Sequence, residues 1–148
     1  MEYFRSISGK IKKVIKVSAL ASYSSDVEGF KLGAVIFDKH KIYAYASNSE
    51  KANPLQKQYN RFKQRDSHLW LKHSGHAEIN CIHRLLQQYY DDLPDTNKLS
   101  ILVYREHADG SFAMARPCPA CRAAIKKMGI KHVYYTGEKS LIYEEFTE

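Results

Sequence analysis

Cysteine is scarce in this 148-residue chain, at three, as are proline, at four, and tryptophan, at one. An odd number of thiols cannot close into a full set of bridges, so the disulfide framework of a small secreted domain is excluded. Apolar packing has to hold the fold, and a chain near 150 residues buries roughly 68–70 % of its unfolded surface, which is enough. No apolar run approaches the roughly 18 residues that a bilayer span requires. Residues 1–13 carry no apolar core of a secretory signal. Neither membrane insertion nor export is expected, and free thiols fit a reducing compartment: the cytoplasm, or a host cytoplasm if the chain is viral.

Glycine is also sparse, at seven, while the hydrophobic fraction is 44 % and the charged fraction 26 %. These values exclude collagen-like and largely disordered chains. The length suits one domain, residues 1–148. Acidic residues are the minority: 16 Asp and Glu face 23 Lys and Arg, a formal charge of +7. Such a surface attracts polyanions or phosphorylated small molecules. The basic residues are spread along the chain rather than gathered in a block, which equally describes a solvated face.

Periodicity sets the elements. Ile11, Val14, Ile15, Val17, Leu20 and Ala21 fall at helical spacing against a lysine face, predicting a helix over 10–23. Residues 32–37 and 42–46 read as a β-hairpin around the polar stretch 38–41. Residues 47–74 turn polar, with Asn53-Pro54 and five basic side chains between Lys51 and Arg65, and read as a long functional loop with some helix. A second helix is expected over 76–90, a buried strand over 99–104, and a loop over 105–116 with Asp109-Gly110 at its tip. A third helix over 118–128 stops at Gly129. Residues 131–136 form another strand, and 140–146 a short element of open type. Strands alternating with helices predict an α/β class, with parallel pairing where a helix separates two strands.

Three residues carry the chemistry. His76, in His76-Ala77-Glu78, opens the second predicted helix; Cys118 and Cys121, in Pro117-Cys118-Pro119-Ala120-Cys121, open the third. Cysteines two residues apart in a first turn project to one side, and the helix N-terminus favours their thiolates. Two sulfurs and an imidazole suit zinc, and with only three protein ligands the fourth position is left for water, the layout of a catalytic site. Two thiolates cancel the ion's charge, so a base near the water is useful, and Glu78, two residues from His76, is placed to serve. Cys81 reads as a small buried residue facing elsewhere. His68, His73, His83, His107 and His132 read as ordinary polar residues, and Tyr89, Tyr90, Tyr134 and Tyr135 as sheet and core positions.

The pattern His-x-Glu with Pro-Cys-x-x-Cys is the signature of zinc nucleobase deaminases, and on these residues the sequence resembles the cytidine and deoxycytidylate deaminase superfamily. That resemblance implies a three-layer α/β/α fold on a mixed sheet of about five strands. It also implies a resident Zn2+, water attack on C4 of cytosine or C6 of adenine, and Glu78 as proton shuttle. Asn48 is expected to touch the sugar or base, the Ala77 amide to meet the base, and the basic side chains of Lys51 and Arg116 to meet phosphate. The segments 51–54, Gln58-Tyr59 and 115–117 are most similar to small phage and bacterial deoxycytidylate-deaminase-like members. The extended loop from Arg105 to Arg116 departs from tRNA adenosine deaminases, which approach Pro-Cys by a short acidic stretch. The expected substrate is a free cytosine nucleotide, dCMP foremost, and the expected assembly a homo-oligomer. A deaminase of single-stranded DNA or RNA, a structural zinc completed by His73, and a non-catalytic zinc- or nucleotide-binding module remain open.

Overall fold

A computed structural model describes residues 2–60 and 75–147, with side chains from residue 9 onward. Its centre is a sheet of five strands: β1 Leu32–Phe37, β2 Ile42–Ser47, β3 Ser100–Arg105, β4 His132–Thr136 and β5 Leu141–Glu145, in the order β2-β1-β3-β4-β5. β3 and β4 run parallel, as expected of strands joined through a helix, and the other neighbours pair antiparallel. Among the described residues four α-helices flank the sheet: α1 Glu2–Tyr23, α2 Pro54–Tyr59, α3 Ala77–Gln88 and α4 Pro119–Met128.

Strand alternation divides the core into two layers. Val35, Phe37, Leu102, Tyr104 and Tyr134 point to one face, where Ile11 and Val14 of α1 cover them. Ala34, Ile36, Ile101, Val103, Val133 and Tyr135 point to the other and pack on Ile79, Ile82 and Leu85 of α3 and Ala120, Ala124 and Ile125 of α4. The central strands are buried on both faces, which is why residues 32–37 read as an unbroken apolar run. This is the expected three-layer α/β/α fold on a mixed sheet.

Two details depart from the expectations, the start of α1 and the place of Tyr90, while α2 is the helix expected within the polar stretch and β5 settles the element of open type. α1 begins at Glu2 rather than at residue 10, and Gly9 is carried within it; extending an existing helix adds one bond per residue, so the glycine is tolerated. The polar stretch after β2 contains α2, started by the Asn53 side chain, which accepts from the Gln56 N–H, and by Pro54 in the first turn. The final element is a strand, β5, closed against β4 by a turn in which the Gly137 N–H donates to Ser140 O at 2.8 Å. Tyr90 lies beyond the end of α3 at 86 % exposure rather than in a core position. The other boundaries agree within two residues, and α4 stops at Gly129, whose φ of 85° is left-handed. Among the described residues no helix is long and apolar enough to cross a membrane.

Candidate metal centre and active site

The first turns of α3 and α4 lie side by side and hold the three expected donors. His76 is the N-cap of α3 and Cys118 the N-cap of α4, both with extended backbone. Pro119 follows Cys118 in the first helical turn, where its missing N–H costs nothing. Cys121 sits three residues after that cap, and an N-cap side chain and the third helical residue lie on the same side of the turn. The two-residue spacing therefore aims both sulfurs at one point. His76 Nδ1 is 3.3 Å from Cys121 Sγ and 3.4 Å from Cys118 Sγ, and the three donor atoms lie within 4.8 Å of one another.

These separations test the fit to a metal. In a tetrahedral zinc site with Zn–N near 2.0 Å and Zn–S near 2.3 Å, nitrogen and sulfur stand roughly 3.5 Å apart. The observed 3.3 and 3.4 Å match that spacing, and two thiols with one imidazole are a zinc donor set. Hydrogen bonding from Cys121, with help from His76, draws the Cys118 pKa down to about 4 against the opposing effect of burial. Burial pushes the Cys121 thiol well up from its ordinary value.

Glu78 stands in the first turn of α3 at 4 % exposure, its carboxyl against the Cys121 thiol but outside the three-donor group. Burial raises its pKa above the ordinary carboxylate value, only partly offset by His76. Ala77 is fully buried at the start of α3, and its N–H is one of the first-turn donors that no carbonyl of the helix reaches.

The remaining expected residues are engaged elsewhere. Asn48 is buried, and its amide ties the connection between α1 and β1: Oδ1 accepts from Leu32 N–H at 3.0 Å and Nδ2 donates to Phe30 O at 2.7 Å. Lys51 is exposed, and its carbonyl accepts from Ser49 Oγ. Arg116 is exposed and paired through Nη2 with Glu144 Oε1 at 3.1 Å, while Arg122 takes the other oxygen of Glu144 at 3.0 Å. Cys81 is wholly buried in the layer beneath α3 and raised in pKa by that burial. His107 pairs with Glu138 at 2.8 Å, and His132 Nδ1 lies 2.7 Å from Tyr143 Oη. His68 and His73, with Arg61, Lys63 and Arg65 of the basic stretch, lie outside the described residues.

A group that the sequence reading did not single out completes the site. Gln56 is fully buried in α2, and its Oε1 accepts from the backbone N–H of His76 at 2.8 Å. Asn53 links α2 to α3 through Asn80 at 2.9 Å. The one local signal was the Asn53-Pro54 helix start; the twenty-residue reach from Gln56 to His76 has no local mark.

A metal-ready pair of helix N-termini beneath a mixed α/β sheet, with a buried carboxyl beside the donors, defines a zinc-dependent hydrolase class. The family model described as "Cytidine and deoxycytidylate deaminase zinc-binding region" matches residues 9–137, and the chain belongs to that family. It is thereby a zinc-dependent deaminase. None of the curated protein sequences compared with it matches. Among solved structures it is similar to the dCMP deaminase of cyanophage S-TIM5, with a TM-score of 0.54 and 21 % identity over 85 % of this chain and 82 % of that one. It is similar to the cytidine deaminase of Burkholderia pseudomallei, with a TM-score of 0.56 and 16 % identity over 90 % and 91 %. A tRNA:A34 deaminase matches with a TM-score of 0.50 and 19 % identity over 85 % and 75 %. At these identities the likenesses bear on the fold.

Proposed function

We propose that the chain hydrolyses the exocyclic amine of a free cytosine nucleotide, converting dCMP to dUMP with release of ammonia. The observation that carries this reading is the meeting of His76, Cys118 and Cys121 with the buried carboxyl of Glu78 against Cys121. His76, Cys118 and Cys121 would hold the zinc ion, which when bound would supply activation of a water molecule as nucleophile. Glu78 takes one proton from that water and delivers it to N3 of the ring while the oxygen–C4 bond forms. The second proton passes through the same carboxyl to the exocyclic nitrogen, the C4–N bond breaks, and ammonia leaves uracil behind. Enclosure keeps bulk water from competing with Glu78 for these protons.

In this reading the Ala77 N–H meets the base at the mouth of α3, and Asn48 meets the sugar or base. Lys51 and Arg116 serve the phosphate. Arg116 must exchange Glu144 for the substrate, an inexpensive trade because exposed ion pairs contribute only about 0–1 kcal/mol. The same pairing favours a second reading, an unphosphorylated cytosine nucleoside, since the charge of Arg116 is already neutralised.

The experiment is to incubate the zinc-loaded protein with dCMP, dCTP, deoxycytidine and cytidine and follow ammonia release. Turnover of dCMP with weaker turnover of deoxycytidine is expected, and Arg116→Ala should raise KM for dCMP while leaving deoxycytidine unchanged. Preference for the nucleosides selects the second reading. Reaction only on single-stranded DNA or RNA, falling steeply with salt, or on no substrate, refutes both.

A further inference from the structure

Beyond the three donors, we propose that Gln56 is a positioning residue for the metal centre, fixing the backbone of His76 so that its imidazole stays aimed between Cys118 and Cys121. The inference rests on the metal-centre reading but not on the identity of the substrate. His76 stands at an N-cap, where its own N–H lies outside the helix ladder and is restrained only if a group beyond that ladder accepts from it. Gln56 supplies that group: Oε1 accepts from His76 N–H at 2.8 Å, and the side chain is fully buried. The other end of the amide is held as well, with Nε2 donating to Asn60 Oδ1 at 2.8 Å.

The chain of contacts continues until it closes on the sheet. Asn53 Oδ1 accepts from Gln56 N–H at 2.7 Å and starts α2, while Asn53 Nδ2 donates to Asn80 Oδ1 at 2.9 Å. Asn80, one turn along α3 from His76, donates through Nδ2 to Ser47 O at 2.9 Å and Ser49 Oγ at 3.1 Å. Ser49 and Gly75 exchange two backbone hydrogen bonds of 2.8 Å, fixing the residue just before His76. The ligand is thus gripped on its N-terminal side by Ser49 and at its own N–H by Gln56. A buried glutamine is costly unless its amide is satisfied, and here the satisfaction is spent on the ligand's backbone. Rotation about that backbone would swing Nδ1 away from the sulfurs, and metal sites tolerate roughly 0.5 Å of such error.

The test compares Gln56→Leu, similar in size without the acceptor, with Gln56→Glu, which keeps an acceptor oxygen. Zinc affinity is measured by competition with a chelator, and the cobalt-substituted proteins are compared by absorption spectrum, both without substrate. Gln56→Leu should weaken zinc about 10- to 100-fold, the usual effect of losing a group that orients a ligand, and should shift the cobalt bands, while Gln56→Glu should restore most of both. Unchanged affinity and spectrum in folded Gln56→Leu overturn the proposal, as does a glutamate variant as weak as the leucine one. Should Gln56→Leu fail to fold, Asn53→Ala decides: a loss of affinity of about 10-fold supports the role, and none overturns it. Zinc bound in this way by a protein that turns over no cytosine compound refutes the proposed reaction and leaves this inference standing.

Discussion

Gly33 offers a sharp test of how α1 seats on the sheet. It lies in β1 between β2 and β3, with Ser47 and Tyr104 as its register partners, so the strand is held from both sides and cannot retreat. A Cβ added there falls 2.0 Å from the carbonyl oxygen of Ser18 and 2.8 Å from the amide nitrogen of Ser22. Both are backbone atoms of α1, and no rotamer change relieves them; the helix has to withdraw by at least about 1 Å. That withdrawal opens the layer in which Val14 packs on Val35, Phe37 and Leu102, all fully buried. Overpacking against backbone belongs at the upper end of the usual range, about 3 kcal/mol, equivalent to a Tm loss of about 6–12 °C for a chain of this size. The assay is thermal unfolding at fixed protein concentration and excess zinc, because bound metal raises the apparent stability. Gly9→Ala is the internal comparison: the same change made within α1 itself meets nothing within 4 Å and should stabilise by about 0.5–1 kcal/mol. A Gly33→Ala loss below about 2 °C, or equal effects at the two glycines, refutes the close-packing argument.

Two other outcomes follow from the geometry. Glu78→Gln should lower kcat by about 10²–10⁴-fold, the usual contribution of a positioned acid–base group, with zinc content unchanged; retained turnover removes the shuttle role. His132 has its pKa lowered chiefly by burial, so folding favours its neutral form. The stability this contributes is present above the unfolded value near pH 6.5 and is lost as the pH falls through the lower folded value. His132→Gln should therefore lose less Tm than the parent between about pH 7 and pH 5, measured by thermal scans; equal losses contradict it.

Much of the site was legible because its chemistry is local. Cys118 and Cys121 share a turn, and His76 and Glu78 are two residues apart, so spacing alone brought each pair together. The central strands announced themselves as continuous apolar runs because helices cover both their faces. β5 did not, because Leu141–Glu145 is a half-exposed edge strand ending in two glutamates, charges that suit an edge but blur alternation. Gln56 stayed hidden for a different reason: its role exists only when α2 and α3 are packed. Arg116 shows the opposite limit, a residue whose place beside a ligand cysteine was plain but whose partner, Glu144, lies 28 residues away.

The central claim is an open three-ligand zinc centre. The most direct measurement is anomalous X-ray scattering at the zinc edge from crystals of protein never exposed to chelator. One zinc per chain is expected, about 2.0 Å from His76 Nδ1 and about 2.3 Å from the sulfurs of Cys118 and Cys121, with a non-protein oxygen as fourth neighbour. No zinc between these three atoms, or a fourth protein ligand such as His73 closing the site, would contradict the account.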